Sequence, residues 1–484
     1  MSWLGLWLIS TLACHAHMPN VLLILADDLG YGDVWAYQPA SQIPTPHIDQ
    51  LAHQGVRFTD AHTPSSVCTP TRYGLLTGRY AWRTSLKRGV LNGYSPPLMD
   101  ARRLTLPRFL KGHGYQTAMV GKWHLGLHYA KLPAGRSPWP EGEIDFHQPV
   151  TRGPNDFGFE ESFIIPASLD FPPYVYLKNQ QITAPPDRLQ PQSPFPAYLR
   201  EGPIGQDFVM NLALDRMMDE AISFLERQQG SADPFFLYVA LSSPHKPVLP
   251  HPRYVGSTSL GPYGDFVVQT DAAVGRLLTT LKTTGKFQET MVIFTSDNGS
   301  FMKRAENTDH VEDSSVQGYR PAHHLSNGPW RGTKADIWEG GHRVPFLIRY
   351  PPLIQAGSIC GQTICLTDVF ATIAALIERP IPEGEGQDSH TFAALLNQAN
   401  ADHVRPPVVH HSAAGMFAIR SGPWKLVLGN GSGGRELPRG KDFSRPYALF
   451  DLSNDPSESM NLASRYPEKV KELEQVLQEI RKQP

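Results

Sequence analysis

Four apolar runs in this chain each end in residues that could do acid–base or metal chemistry. "NVLLILADDLGYGD" gives an apolar run over residues 21–26 and then Asp27 and Asp28. "YQTAMVGKWHLG" delivers Lys122 and His124, "PFFLYVALSSPHKP" delivers His245, and "MVIFTSDNGS" delivers Asp297 and Asn298. Asp27, Asp28, Asp297 and Asn298 are oxygen donors, the set that a hard divalent cation such as Ca2+ or Mg2+ prefers. A fifth residue stands apart: Cys68, in "SSVCTPTRYGLLTGRY", followed by Pro70 and Arg72. A thiolate is soft and makes a poor further ligand for such an ion. Taken alone, Cys68 reads either as a buried structural cysteine or as a thiol nucleophile. If it points at the oxygen donors, an unmodified thiol is the wrong chemistry for that place.

The elements that must position these residues follow from the same runs. Continuous apolar stretches bounded by Gly, Pro and Asp suit strands buried on both faces. Helices fall between them. Residues 207–229 carry Met210, Leu214, Met217, Ala221 and Leu225 at helical spacing, and residues 263–281 form a second helical stretch. Strands alternating with helices predict a large, mostly parallel α/β sheet flanked by helices. In such sheets ligands bind beyond the carboxyl ends of the strands, so the four deliveries converge on one edge. After about residue 380 the texture changes to short strands and turns, "GMFAIRSGPWKLVLGNG" and "YALFDLSNDPSESMNLA", closed by an amphipathic helix over 467–483. The division expected is a catalytic domain over 17–380 and a smaller α+β subdomain, a short antiparallel sheet plus a helix, over 381–484.

The 484 residues are 40% hydrophobic and 19% charged, with net charge -2 and no long basic or acidic block. That gives no electrostatic argument for nucleic acid or a membrane surface. Residues 3–13 are apolar but too short to span a bilayer, and residues 1–16 read as a secretion signal, which predicts export. Cys14 offers a lipid anchor as an alternative. No other segment is long and apolar enough to cross a membrane. Cys360 and Cys365, among only four cysteines, could bridge in an oxidising compartment or stay as free buried thiols.

The order Cys68-Thr69-Pro70-Thr71-Arg72 resembles the Cys-x-Pro-x-Arg signature of the sulfatase family, and the match runs on through Gly74 to Arg79. "GYQTAMVGKWH" resembles the second family signature. The Asp27-Asp28 pair, "SPHKP", "SDNG", "GTKADIWEGGHRVP" and the C-terminal "YALFDLSNDPSESMNLA" resemble further blocks in the family's order. The resemblance covers nearly the whole chain after the signal. It implies that a separate formylglycine-generating enzyme oxidises Cys68 to formylglycine, an aldehyde that hydrates to a gem-diol, so that hydroxyl oxygens replace sulfur beside the cation. It further implies that one hydroxyl attacks sulfur and the second, on losing its proton, expels sulfate. Asp27, Asp28, Asp297 and Asn298 would hold Ca2+ or Mg2+ beside position 68. Arg72 would steady the modified residue, and Lys122 and Lys334 would contact sulfate oxygens. His124 would take the proton from the second hydroxyl, and His245 would protonate the leaving alcohol. Ser168, in "IIPASLD", would be a further sulfate contact. Asn298-Gly299-Ser300 also fits the N-glycosylation pattern, which is set aside because the amide is needed at the metal.

The implied substrate is a sulfated carbohydrate or an aryl sulfate. A phosphonate or phosphate monoester hydrolase on the same scaffold is the alternative. A non-catalytic glycan-binding protein on the same scaffold is a further alternative, which loss of a core residue would favour, and none is missing. Specificity is expected in loops over 129–154, 170–206 and 301–327, which carry His147, Arg152, Asp170, His310, His323 and His324.

Overall fold

The computed structural model describes residues 18–139, 143–302 and 324–483. The expected signal segment, Cys14, His310 and His323 lie outside the described residues. Among the described residues no helix is long and apolar enough to cross a membrane.

The largest sheet has ten strands. In chain order they are β1 (Asn20–Asp27), β2 (Val56–Phe58), β3 (Gln116–Lys122), β4 (Glu161–Ile165), β5 (Leu177–Lys178), β6 (Gln181–Ile182), β7 (Phe235–Pro244), β8 (Thr290–Ser296), β9 (Phe346–Arg349) and β10 (Ser358–Cys360). Across the sheet they run β10-β2-β9-β8-β1-β7-β3-β4-β5-β6. The five central strands, β8, β1, β7, β3 and β4, are parallel. Antiparallel pairings appear only toward the edges, at β8–β9, β9–β2, β4–β5 and β5–β6. The mostly parallel sheet expected from the apolar runs is therefore present, with mixed margins.

Its burial on both faces is visible residue by residue. Val21, Leu23 and Leu25 of β1 enter one core, with Phe236, Tyr238 and Ala240 of the neighbouring β7. Leu22, Ile24 and Ala26 enter the opposite core, with Phe235, Leu237, Val239 and Leu241. Successive side chains in a strand point to opposite faces, so a strand covered on both must be apolar throughout. Each fully buried Val, Leu, Ile or Phe contributes roughly 1.5–3 kcal/mol of transfer free energy. The run ends where the backbone leaves the layers, at Asp27 and Asp28.

Helix α1 (Cys68–Thr77) starts on the signature cysteine. Helices α2 (Ala213–Arg227) and α3 (Gly261–Thr283) cover one face of the sheet. The expected helix over 207–229 is shorter than its periodicity implied: Met210–Leu212 form a separate 3-10 turn, so Met210 does not lie on the α-helical stripe. A smaller four-strand antiparallel sheet, β11 (Val408–His411), β12 (Phe417–Ser421), β13 (Trp424–Val427) and β14 (Ala448–Asp451), packs under helix α4 (Pro467–Lys482). Val470, Leu473 and Leu477 of α4 share a core with Val409, Phe417, Ile419 and Leu426, and with Tyr80 and Trp82 just beyond α1. Cys360 and Cys365 are free buried thiols, which closes the disulfide alternative in favour of reduced cysteines.

A polar network joins the two sheets. His62 Nε2 lies 2.9 Å from Asp60 Oδ1, and His62 Nδ1 lies 3.1 Å from His342 Nδ1. Lys425 Nζ is 3.0 Å from His342 Nε2 and ion-pairs with Glu339 at 3.1 Å and Glu458 at 2.7 Å. His410 stacks on His342 with ring centroids 3.9 Å apart, and its Nδ1 lies 2.9 Å from the Thr63 carbonyl oxygen. A lysine donates, so His342 Nε2 accepts; its Nδ1–H then donates to His62, whose Nε2–H donates to Asp60. This order keeps every ring neutral.

Candidate active site

The strand ends bring most of the predicted residues together. Asp27 closes β1 and Asp28 follows it in the left-handed region, with φ 66°. Lys122 is the last residue of β3, and His124, two residues on, also has a positive φ of 55°. His245 follows β7, and Asp297 and Asn298 follow β8. Non-glycine residues with positive φ are uncommon and concentrate where surrounding structure imposes the conformation. Gly299 is held close to the loop that carries Gly340, since a Cβ there would lie 1.9 Å from the Gly340 carbonyl oxygen. That tight approach fixes the turn that presents Asn298.

At the centre stands Cys68, 1% exposed. Its Sγ lies 3.7 Å from Asp27 Oδ1 and 3.4 Å from Lys334 Nζ. Lys122 Nζ donates to both oxygens of Asp27, at 2.9 and 2.8 Å, and Lys334 Nζ donates to both oxygens of Asp28, at 2.6 and 2.7 Å. Arg72, one turn along α1 from Cys68, donates to Asp297 Oδ2 from Nε at 3.0 Å and from Nη2 at 2.7 Å, and to the Lys122 carbonyl at 3.0 Å. Asp27, Asp28 and Asp297 are thus matched by Arg72, Lys122 and Lys334, a balance that lets so many ionised groups stay buried.

The donor set fits a hard cation. Asn298 Nδ2 donates to Asp28 Oδ1 at 2.7 Å, while the buried Asn298 Oδ1 has no hydrogen-bond partner. Asp28 N donates to Asp297 Oδ1 at 3.2 Å. An orphaned amide oxygen among three carboxylates is what an oxygen-coordinated Ca2+ or Mg2+ would satisfy. Single ligand atoms of Asp27, Asp28, Cys68 and His245 also fall within 4.8 Å of one another. Asn298 is wholly buried, so its sequon cannot carry a glycan in this fold.

Burial dominates the protonation equilibria here. It pushes Asp27 up to about 7, with Asp297 and Asp28 adding to it against the opposing pull of Lys122 and Arg72. For Asp297, burial is outweighed by Arg72, Lys122 and Lys334, and the carboxyl is held below its ordinary value. Burial, reinforced by Asp297, pushes the Cys68 thiol up to about 12. A thiol in that state is neither a nucleophile nor a ligand. His124 and His245 are both held neutral by burial, and secondarily by nearby cations, Lys122 and Arg72 for His124 and Lys334 and Lys122 for His245.

The histidines approach from different sides. His245 Nε2 lies 3.6 Å from Asp28 Oδ2, while its Nδ1 is bonded to the Lys246 carbonyl and lies 3.9 Å from Asp170 Oδ1. His124 Nε2 is bonded to the Leu91 carbonyl at 2.7 Å, leaving its buried Nδ1 unpaired. Ser168 is 2% exposed with an unpaired hydroxyl, two residues before Asp170. The N-terminal turn of α1 has no side-chain cap, so its backbone N–H groups favour an anion beside Cys68.

Of the loop candidates, His147 and Arg152 are exposed, and His324 is bound 2.8 Å from Asp33 in a buried network with Tyr263. Asp170 alone reaches the site. It is held by Arg200, whose Nη1 lies 2.5 Å from Asp170 Oδ2 and whose guanidinium stacks 3.9 Å from the Phe171 ring. Sequence reasoning missed Arg200, because an arginine in a Pro-rich loop carries no periodic signal.

A family model described as Sulfatase matches residues 19–378. The chain is 32% identical to N-acetylgalactosamine-6-O-sulfatase of Bacteroides thetaiotaomicron, over 96% of this chain and 94% of that protein. It is also 32% identical to arylsulfatase A of Bos taurus, over 96% of this chain and 87% of that protein. A solved Bacteroides thetaiotaomicron structure, from work on the metabolism of multiple glycosaminoglycans, superposes with a TM-score of 0.81 at 32% identity, covering 96% of this chain and 100% of that one. The fold and these relatives define the class: the chain belongs to the sulfatase family and is a sulfatase.

Proposed function

We propose that this sulfatase hydrolyses the O-sulfate of a sulfated saccharide, with Cys68 matured to formylglycine and Ca2+ held by Asp27, Asp28, Asp297 and Asn298. The observation that carries this reading is the environment of Cys68. A thiol pushed up to about 12 sits between a carboxylate and the Lys334 ammonium, where an oxygen nucleophile would serve and sulfur does not. The N-acetylgalactosamine-6-O-sulfatase relative supports a sugar 6-sulfate as the substrate class. Maturation requires a formylglycine-generating enzyme as partner.

The hydrated aldehyde supplies two hydroxyls, one to attack sulfur and one whose ionisation releases the sulfate. Calcium held by Asp27, Asp28, Asp297 and Asn298 would supply Lewis-acid stabilisation to the attacking hydroxyl and to the negative charge of the sulfate. The remaining work falls to the chain's own side chains. Lys122 and Lys334, now on the carboxylates, turn toward sulfate oxygens, where negative charge is held by donors already in place. The helix start at Cys68 adds backbone donors to the same anion. Arg72 keeps Asp297 ionised and aligned. His245, whose Nδ1–H is donated to the Lys246 carbonyl, is neutral without substrate; it takes up a proton at Nε2 when the anionic sulfate ester binds and gives it to the departing sugar oxygen when the S–O bond breaks. His124 Nδ1, buried and unpaired, accepts the proton from the second hydroxyl. Ser168 adds a hydroxyl contact to the anion.

The test is release of inorganic sulfate from N-acetylgalactosamine 6-sulfate, its 4-sulfate isomer and 4-nitrophenyl sulfate, beside phosphate release from 4-nitrophenyl phosphate. Turnover of the 6-sulfate is expected to exceed that of the isomer and of the phosphate ester. Phosphate release as the faster reaction overturns the reading.

A further inference from the structure

A basic cleft of about 590 Å³ opens away from the catalytic residues, where the segment after α1 meets the small sheet. Arg79, Lys87, Arg88 and Arg481 line it beside Trp82 and Phe417, with Asp442 as the acidic member. Arg83 also borders it but is committed to Asp388, at 2.8 Å. Arg79, Arg88 and Arg481 make no ion pair among the described residues, and the buried Arg79 Nε and Trp82 Nε1 have no hydrogen-bond partner. Arg481 lies over the Phe417 ring at 4.9 Å, and Trp82 meets the same ring edge-on at 5.6 Å. The Trp82 ring is itself covered by Tyr80 and Arg83, so the ligand is selected by the unpaired donors and the excess positive charge, which call for an anion.

The cleft is physically tied to the active site. The Lys87 carbonyl is 3.2 Å from His411 Nε2, Gly89 N donates to Ala413 at 2.8 Å, and Ala413 N donates to Ala335, the neighbour of Lys334, at 3.0 Å. Four residues beyond Lys87, the Leu91 carbonyl holds His124 Nε2 at 2.7 Å. Four residues of chain span at most about 14 Å, and every residue from Lys87 to Leu91 is at least partly exposed. The partly exposed segment 87–91 therefore runs from the cleft to the carbonyl that holds His124.

We propose that this cleft is a second binding site, for sulfate or carboxylate groups of a sulfated saccharide chain located several sugars from the residue being hydrolysed. This rests on the saccharide reading above. The enzyme would then prefer polymeric substrate to an isolated sugar sulfate. None of the residues around Cys68 lines the cleft, so the effect should fall on binding of long chains rather than on the chemical step.

The experiment uses Arg88→Gln/Arg481→Gln, beside an Arg102→Gln/Arg227→Gln control that removes the same charge elsewhere. Binding of a chondroitin 6-sulfate octasaccharide and of N-acetylgalactosamine 6-sulfate is titrated in a Cys68→Ala background, and kcat/KM is measured in matured enzyme. The cleft variant should bind the octasaccharide about tenfold more weakly, with a matching rise in KM and unchanged kcat, while the monosaccharide changes by less than about twofold and the control stays at wild-type affinity. Equal losses on both ligands, no loss on the octasaccharide, or an equally large loss in the control would overturn the proposal. So would an oligonucleotide of equal charge that competes as well as the octasaccharide, since that marks a general polyanion surface. If matured wild-type enzyme releases no sulfate from either saccharide, the reading of the catalytic site fails, while the binding titration still judges the cleft.

Discussion

Lys334 holds Asp28 by both carboxylate oxygens, at 2.6 and 2.7 Å, in a site where neither residue has appreciable solvent. Removing one partner of a buried pair leaves the other charged and unmatched, at a cost of about 3 kcal/mol or more. A divalent cation on Asp28 would replace the missing charge. Lys334→Ala should therefore destabilise the chelated protein by about 3 kcal/mol and the calcium-saturated protein by distinctly less. It should also lower kcat/KM at least about 100-fold, since the proposed mechanism makes Lys334 a donor to the reacting anion. Urea unfolding in EGTA and in calcium, with sulfate release alongside, reads all three. Equal destabilisation under both conditions would show that no cation shares the Asp28 site.

His245 offers Nε2 toward Asp28 and fixes Nδ1–H on the Lys246 carbonyl, which leaves Nε2 as the nitrogen that the proposed mechanism uses. An aryl oxide leaves without a proton, whereas a sugar alkoxide does not. His245→Ala should lower kcat on the sugar sulfate about 100-fold or more, and on 4-nitrophenyl sulfate far less. Identical losses on the two substrates would remove the general-acid assignment.

The histidines between the sheets give a pH dependence of known sign. Burial holds His62, His342 and His410 below the ordinary imidazole value of 6.5, with His410 and Lys425 adding to the effect at His342. Their folded-state pKa values are depressed, so the unfolded chain takes up protons first as pH falls. The stability they contribute is complete above pH 6.5 and is lost on going below it, at up to about 1.4 kcal/mol per pH unit for each ring. Urea stability should fall between pH 6.5 and 5, and His410→Asn should flatten that slope by up to one proton. Its Nδ2 can still donate to the Thr63 carbonyl, so the fold is kept. An unchanged slope in His410→Asn would show that His410 does not take part.

These histidines also mark the limit of sequence reading. The β1, β3, β7 and β8 runs were legible because a strand buried on both faces must be apolar throughout, and the polar residues that end it must lie at the sheet edge. Cys68 stood out only through the resemblance of Cys68-Thr69-Pro70-Thr71-Arg72 to the sulfatase signature; taken alone it reads as a buried cysteine or a thiol nucleophile. Asp60, His62, Glu339, His342, His410 and Lys425 are scattered over most of the chain, and each alone resembles an ordinary loop or strand polar group. Only the placement of β11 and β13 against the turn after β2 brings them into one network. The same holds for Asp170 and Arg200, whose pairing depends on loop conformation rather than on any periodicity.

Cys68 provides the most direct test of the catalytic reading. Its thiol is buried, pushed up to about 12 and flanked by Lys334 at 3.4 Å. Protein made without the maturation enzyme should fold normally, because the charges around position 68 balance whether or not Cys68 is converted to the aldehyde. It should nevertheless release almost no sulfate. Cys68→Ser restores one hydroxyl and should accept a sulfuryl group once, then stall, because serine has no second hydroxyl whose ionisation could break the new ester. Cys68→Ala should acquire no label from a radiosulfated substrate. A thiol nucleophile predicts the opposite pattern, with full activity in unmodified protein and inactivation by alkylating reagents. Peptide mass spectrometry across residues 63–72, paired with sulfate release from the same sample, separates the two. Full turnover from protein whose position 68 is entirely cysteine would eliminate the formylglycine mechanism for this enzyme.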